Sequence, residues 1–263
     1  MMHGSRRIEQ LVEEQIHKAS TRSQFGERPE LASSHWPVIT ISREPCAGGT
    51  TLGRSIAERL GFACWDQELL TRIAEQAGAV ESILASVDER VHSSVMEFVR
   101  SLLVGFEYTQ DEYRMVLTKV VGAIAMQGAA VIVGRGGHLI LGSSRSLRVR
   151  VVCPTNERIA RMMQRDSVSE AIATRRIREV GNDIAAFMRH HFQQEAADTH
   201  NFDVIVNSGS LSIASATDIV LAAYKAKFGR ALETLAPPAP VSGVQPMTTT
   251  LATLATLDRA KSA

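Results

Sequence analysis

The 263-residue chain reads as an α/β fold: a central parallel sheet with flanking helices on both faces. Three observations predict this. The Val- and Ile-rich runs Pro37–Ser42, Ala129–Val133 and Leu147–Cys153 lack polar alternation, as strands buried on both faces do. Segments with apolar residues at helical spacing separate them. The first of these strands also runs directly into a small-residue loop and a helix, the strand–helix connection of layered α/β folds.

The elements follow in order. Residues 5–19 place Ile8, Leu11, Val12 and Ile16 on one face of a short amphipathic helix, and residues 20–35 are a polar linker. Strand one is followed by a helix over Thr50–Leu60. A second strand, Phe62–Trp65, leads through Asp66 to a helix near Gln67–Ala77. Apolar positions from Val80 to Leu103 track one helix face, and those from Tyr113 to Ile124 track another. An Arg-rich helical region spans Thr155–Phe192, and the capping-box spacing of Ser167 and Glu170 predicts a second helix start there. Asp203–Asn207 is the last strand, and Ser212–Phe228 is a closing helix stopped by Gly229. Beyond it, Pro237, Pro238, Pro240 and Pro246 mark a disordered tail. The division is therefore 1–35 (helix and linker), 36–229 (the α/β domain) and 230–263 (tail).

Composition excludes several classes. A net charge of +1 and 5% aromatic residues argue against bulk nucleic-acid binding. No run approaches 18 apolar residues, so no membrane span is expected. The first 20 residues lack the apolar core of a secretion signal, which predicts a cytoplasmic protein. Cys46, Cys64 and Cys153 suggest neither a disulfide framework nor a zinc site, and His190, His191 and His200 have no metal-ligand spacing.

The chemistry concentrates in Ser42–Leu52. A buried strand feeding a glycine loop and a helix N-terminus makes a phosphate site, because loop amides and the helix dipole both favour an anion. Cys46, Ala47, Gly48, Gly49, Thr50 and Thr51 are the expected donor-phosphate residues, with Thr51 offering a hydroxyl to a metal. A standard phosphate loop carries lysine after its last glycine; here that place is Gly49. Arg43, at the mouth of the loop, is the first candidate to supply the missing charge and Arg54 the second. The plain alternative has Arg43 at the surface or paired with Glu44. Cys46 is either a small loop residue or, near a helix N-terminus, a thiol of lowered pKa. Arg135, between Gly134 and Gly136 at the end of a buried strand, is expected to turn into a cleft. Arg158, Arg161 and Arg165 share a helix face.

Four segments together resemble the cytidylate kinase-like family, a divergent branch of the P-loop nucleoside monophosphate kinases. They are ISREPCAGGTTLGRSIAERLGF, CWDQELLTRIAEQAG, VIVGRGGHLIL and LRVRVVCPTNERIARMMQRD with its continuation to VIVNSGSLS. The resemblance covers about residues 37–228. It implies a P-loop NTPase fold with a helical acceptor lobe over Val80–Ile124 and an Arg-rich lid, and Mg²⁺ and ATP as metal and phosphate donor. It implies that Asp66, Arg72 and Arg135 bind the acceptor and that Arg161 and Arg165 close over the transferring phosphate, with Asp183 supporting a lid arginine; Arg43 as the catalytic cation is the reading of the loop itself. Asp66 has a second reading, as the N-cap of its helix. The family's two aspartates around the Gly-Arg pair, which help position the pyrimidine nucleotide, are Val133 and Gly136 here, so the likeness to a cytidylate-type acceptor site is incomplete.

The expected activity is ATP-dependent phosphoryl transfer to a nucleoside monophosphate or a related small acceptor. The alternatives are a non-catalytic nucleotide sensor of the same fold and a kinase for a non-nucleotide small molecule. The helical pair suits a homodimer seam, and the N-terminal helix and tail suit a protein partner.

Overall fold

The computed structural model describes residues 37–67, Leu70 and residues 112–233. The N-terminal helix, most of the helix after Asp66 with Arg72, the Val80–Leu103 helix and the tail lie outside the described residues.

The described elements are β1 (Val38–Arg43), α1 (Gly49–Leu60), β2 (Ala63–Trp65), α2 (Glu112–Gln127), β3 (Ala130–Val133) and α3 (Gly137–Arg145). They continue with β4 (Ser146–Val152), α4 (Thr155–Asp166), α5 (Glu170–Phe192), β5 (Val204–Asn207) and α6 (Ile213–Glu233). Five strands form one sheet in the order β2-β3-β1-β4-β5, and all pairings are parallel. The carboxyl ends of β1 and β3 are thus neighbours, with Ile41 in register with Val133.

Burial on both faces explains the unbroken β-branched runs. Ile39, Ile41, Val131, Val133, Val149 and Val151 pack beneath α1 and α6. Val38, Trp65, Ile132 and the apolar face of α2 pack with α3 and the end of α5 on the other side. Each such side chain withdrawn from water contributes about 1.5–3 kcal/mol. A third, smaller cluster of Met162, Ala173 and Ile177 joins α4 to α5, and Cys46 of the glycine loop packs against it. The Arg-rich hairpin therefore has its own core and leans on the loop.

Four expectations are corrected. α3 was not anticipated: it is nine residues long and broken at Gly142, whose φ of 66° and ψ of −175° are not helical. Ser167 does not open α5; it ends α4 in left-handed conformation, φ 54°, and Ser169 is the α5 N-cap, without a side-chain bond. Gly229 does not stop the last helix, which runs on to Glu233. A side chain at position 229 would meet only the Lys225 stem at 4.0 Å, so nothing there forces the chain to turn. α1 begins one residue early, at Gly49.

Candidate active site

After β1 the chain crosses the carboxyl edge of the sheet through residues 44–48. Cys46 (φ 59°) and Gly48 (φ 79°) both take left-handed backbone. α1 therefore starts on a glycine cap with no side-chain hydrogen bond to its first turn. Amides left over in this way favour an anion. One strand away the pattern repeats. Gly134, Arg135 and Gly136 have φ of 86°, 51° and 70°, and α3 also starts without a side-chain cap.

Arg43 joins the two turns. A Cβ on Gly49 would lie 2.6 Å from Arg43 Cβ, and a Cβ on Gly134 would lie 2.6 Å from Arg43 Nη1. The side chain runs over one glycine and sets its guanidinium against the other. Gln67 Oε1 accepts a hydrogen bond from Arg43 Nη2. Burial, then the charge of Arg135, pushes the Arg43 guanidinium below its ordinary pKa, while Asp66 pulls the other way. A guanidinium remains a cation under these pressures. The surface and Glu44-paired alternatives for Arg43 are not what the structure has: the Glu44 carboxylate accepts from the Cys153 N–H at 3.0 Å and lies 3.6 Å from Arg158 Nε.

A cleft of about 630 Å³ opens over these turns, with Val180, Ile184, Phe187 and Met188 of α5 as its apolar wall. The predicted residues Arg43, Cys46, Gly48, Gly49, Thr50, Thr51, Arg135, Arg161, Arg165 and Asp183 all border it. Ala47 is buried beneath, its carbonyl accepting from Ser208 Oγ at 2.7 Å. Asp66 pairs at 3.1 Å with the exposed Arg54, and neither borders the cleft. The Leu70 N–H donates to the Asp66 carbonyl at 3.0 Å, the first helical bond after β2. Arg72 lies outside the described residues.

The arginines expected on the lid divide. Arg161 donates to the Ser208 carbonyl at 2.7 Å and to its hydroxyl at 3.1 Å, with the Cys46 carbonyl at 3.5 Å, so it braces the glycine loop from below. Arg165 is exposed and bonds Asp166 at 2.6 Å, the residue beside it. Arg135 lies 5.0 Å from the centroid of Phe187. The lowered Cys46 pKa does not arise: burial pushes the thiol up, against the pull of Arg165, Arg158 and Arg161.

Ser42, the first residue of the expected phosphate loop, borders the cleft; sequence reasoning missed His138, Gln67 and Phe187 there and Arg150 behind it, whose Nη1 donates to Ser42 Oγ at 3.0 Å. Two charges alternating in a buried strand, Arg148 and Arg150, were the available signal. Among the described residues no three His, Cys, Asp or Glu side chains cluster as metal ligands, and no helix is long and apolar enough to cross a membrane.

The sheet order, the glycine loop between β1 and α1, and the arginine-lined cleft define a P-loop kinase-like α/β fold. A model of the cytidylate kinase-like family matches residues 38–210, well over half of the sequence. The chain belongs to that family. A solved structure of an uncharacterized protein from Eubacterium ventriosum superposes with a TM-score of 0.56 at 21% identity, covering 72% of this chain and 98% of that one. That likeness supports the fold alone. Shikimate kinase from Acinetobacter baumannii is more distant, with a TM-score of 0.38 at 14% identity over 76% of this chain and 97% of its own. A stretch of 106 residues, 40% of this chain, is 28% identical to a uronate isomerase of Corynebacterium glutamicum, only 20% of whose length it spans.

Proposed function

We propose that this protein transfers the γ-phosphoryl group of Mg²⁺-bound ATP to a nucleoside monophosphate or a related small anionic acceptor. The observation that carries the reading is the Arg43 guanidinium, set between a donor-type glycine loop and a second glycine turn that presents Arg135. A cation in that place neutralises charge on the transferring group, the role that the loop lysine plays elsewhere.

The donor phosphates would take the amides of Gly48–Thr51. An oxygen of the acceptor phosphate forms the new bond to the γ-phosphorus as the bond to the bridging oxygen breaks, and ADP leaves. With an anionic acceptor no proton need move, so catalysis is positioning and charge neutralisation. Arg135 would hold the acceptor, and Asp66 and Arg72 belong to the same role. Arg161 positions the loop. Arg165, whose partner is its chain neighbour, is the lid cation free to exchange Asp166 for a phosphate.

The residues fit a magnesium ion that arrives on the nucleotide. Thr50 and Thr51 put hydroxyl oxygens on the cleft, and Mg²⁺ prefers hard oxygen ligands completed by substrate phosphates and water. Thr51 would hold it, and it would supply further charge neutralisation on the donor.

The test is diphosphate formation from ATP with CMP, dCMP, UMP, AMP and GMP offered separately, in wild type and Arg43→Ala. The expected result is product from at least one acceptor and its loss in the variant. Unchanged turnover in Arg43→Ala removes the substitute-cation role. Val133 stands where the family has an aspartate, and this favours a second reading, a nucleotide sensor. Tight ATP binding without transfer to any acceptor would support it.

A further inference from the structure

The inner end of the cleft holds polar groups that the proposed transfer leaves unused. His138, on the first turn of α3, borders the cleft yet is only 5% exposed. Its ring stacks on Phe202 with centroids 4.8 Å apart, and its nitrogens have no hydrogen-bond partner among the described residues. The ring is nearly buried but not sealed off, so its unpaired nitrogens can bond a ligand or water in the cleft.

Arg150 stands behind it on β4, 8% exposed, with its guanidinium carbon 5.5 Å from the centroid of the same Phe202 ring. Its bond to Ser42 Oγ, 3.0 Å, occupies one of five donors. Because that oxygen accepts from Arg150, the Ser42 O–H is left to donate, and Ser42 borders the cleft. Glu44, the acid whose charge acts on Arg150, is engaged by Cys153 N–H and Arg158. The set is rich in donors and holds no committed acceptor.

We infer that Ser42 and His138 on the cleft, with Arg150 behind them holding Ser42 and supplying positive charge, form a subsite for an anionic oxygen group, a carboxylate or a phosphate, carried by the acceptor. Assigning that group to the acceptor rests on the phosphoryl-transfer reading; the subsite itself does not. A nucleoside monophosphate would satisfy it through its phosphate and a small organic acid through its carboxylate.

The experiment uses the full chain with ¹³C-labelled histidine rings and ¹⁵N-labelled amides, the His138 signal being assigned with His138→Gln. Inorganic phosphate and acetate are titrated separately, followed by a non-hydrolysable ATP analogue. The expected result is a saturable change at the His138 ring with at least one anion, weakened about tenfold in Ser42→Ala and in Arg150→Gln. Ser42→Ala removes only a hydroxyl, so the test survives if Arg150→Gln fails to fold. The anion that saturates at lower concentration names the group. A His138 ring that responds to neither anion, or responds equally in Ser42→Ala, overturns the subsite even where the analogue shifts the Thr50 and Thr51 amides. Anion response at His138 without analogue binding supports the subsite and removes the donor reading instead.

Discussion

The turn after β1 and the turn after β3 both end a buried strand, both take left-handed backbone, and both launch a helix without a side-chain cap. They differ in how charge reaches them. The first is small residues throughout, and its cation, Arg43, comes from the strand end before it and crosses to the second turn. The second carries its own cation, Arg135, in a conformation that costs a non-glycine residue about 1–2 kcal/mol. One turn can therefore be judged from its own sequence, while the other depends on a residue far along the chain. Gly49 in this light is not merely a lost lysine: it is the space through which Arg43 passes.

The largest expected effect comes from reinstating that lysine. In Gly49→Lys the new Cβ falls 2.6 Å from Arg43 Cβ and 2.9 Å from its Cγ, so the loop or Arg43 must move. Turnover should fall by about a thousandfold, the upper range for losing a preorganised group opposite developing charge, with weaker binding of an ATP analogue. Initial rates and calorimetry read both. A gain in turnover would mean that the lysine position, not Arg43, is where the charge belongs.

The two helix caps separate on stability. Gly136→Ala forces a Cβ to 2.4 Å from the Phe192 ring at φ 70° and should cost about 3–4 kcal/mol through overpacking and backbone strain. Gly48→Ala, at φ 79°, meets Ile213 Cδ1 at 3.4 Å and Arg161 Nη1 at 3.8 Å, both ordinary contacts, and should cost about 1–2 kcal/mol. Urea denaturation of the pair measures the difference. Equal losses would show that strain alone sets the cost and that the α5 end does not clamp the second turn.

Third is acid stability between pH 6.5 and 4, which the second turn transmits through His138 on α3. Burial, then the charges of Arg150 and Arg148 on β4, lowers His138 from 6.5 to about 4. Between those pH values the unfolded chain binds a proton that the fold refuses, so stability falls as pH drops through this window. The gap is worth about 3 kcal/mol. Asp203 titrates lower: burial pushes it up, but bonds from Arg148 and Lys227 outweigh that and hold it at about 2. Its contribution is present above 3.8 and lost as pH falls toward 2. His138→Gln should flatten the urea-derived stability between pH 6.5 and 4 and leave the lower window alone.

How much of this the sequence carries depends on how local the cause is. β1, β3 and β4 are legible because burial on both faces demands Val and Ile, and the glycine loop is legible because it follows β1 immediately. α3 is not, since a nine-residue helix broken at Gly142 leaves too little periodicity. The Ser167–Glu170 spacing is present, but spacing cannot tell a serine that closes one helix from the serine that opens the next. The route of Arg43 needs the parallel pairing that brings Gly134 beside β1. The partnership of Arg150, Ser42 and His138 likewise exists only once β4 lies against β1 and α3 covers both.

The smallest effect on stability, and the sharpest on role, is expected at Arg135. Changing it to glycine relieves a left-handed cost of about 1–2 kcal/mol. Against this stand the contacts of the Arg135 side chain, of which that with Phe187 is worth about 0.5–1 kcal/mol, and the greater freedom of glycine in the unfolded chain, another 0.5–1 kcal/mol. The terms nearly cancel, so stability should stay within about 1 kcal/mol of wild type. Arg135→Ala keeps the strain, loses the contact and should be the less stable of the two. Binding of an anionic acceptor, in contrast, should weaken about tenfold in both variants, because both lose the charge. Calorimetry with the best acceptor from the nucleotide screen, beside urea denaturation, separates the two properties. If Arg135→Gly unfolds readily and binds normally, Arg135 is a structural residue of the turn, and the charge that the second turn offers to a ligand is Arg43 alone.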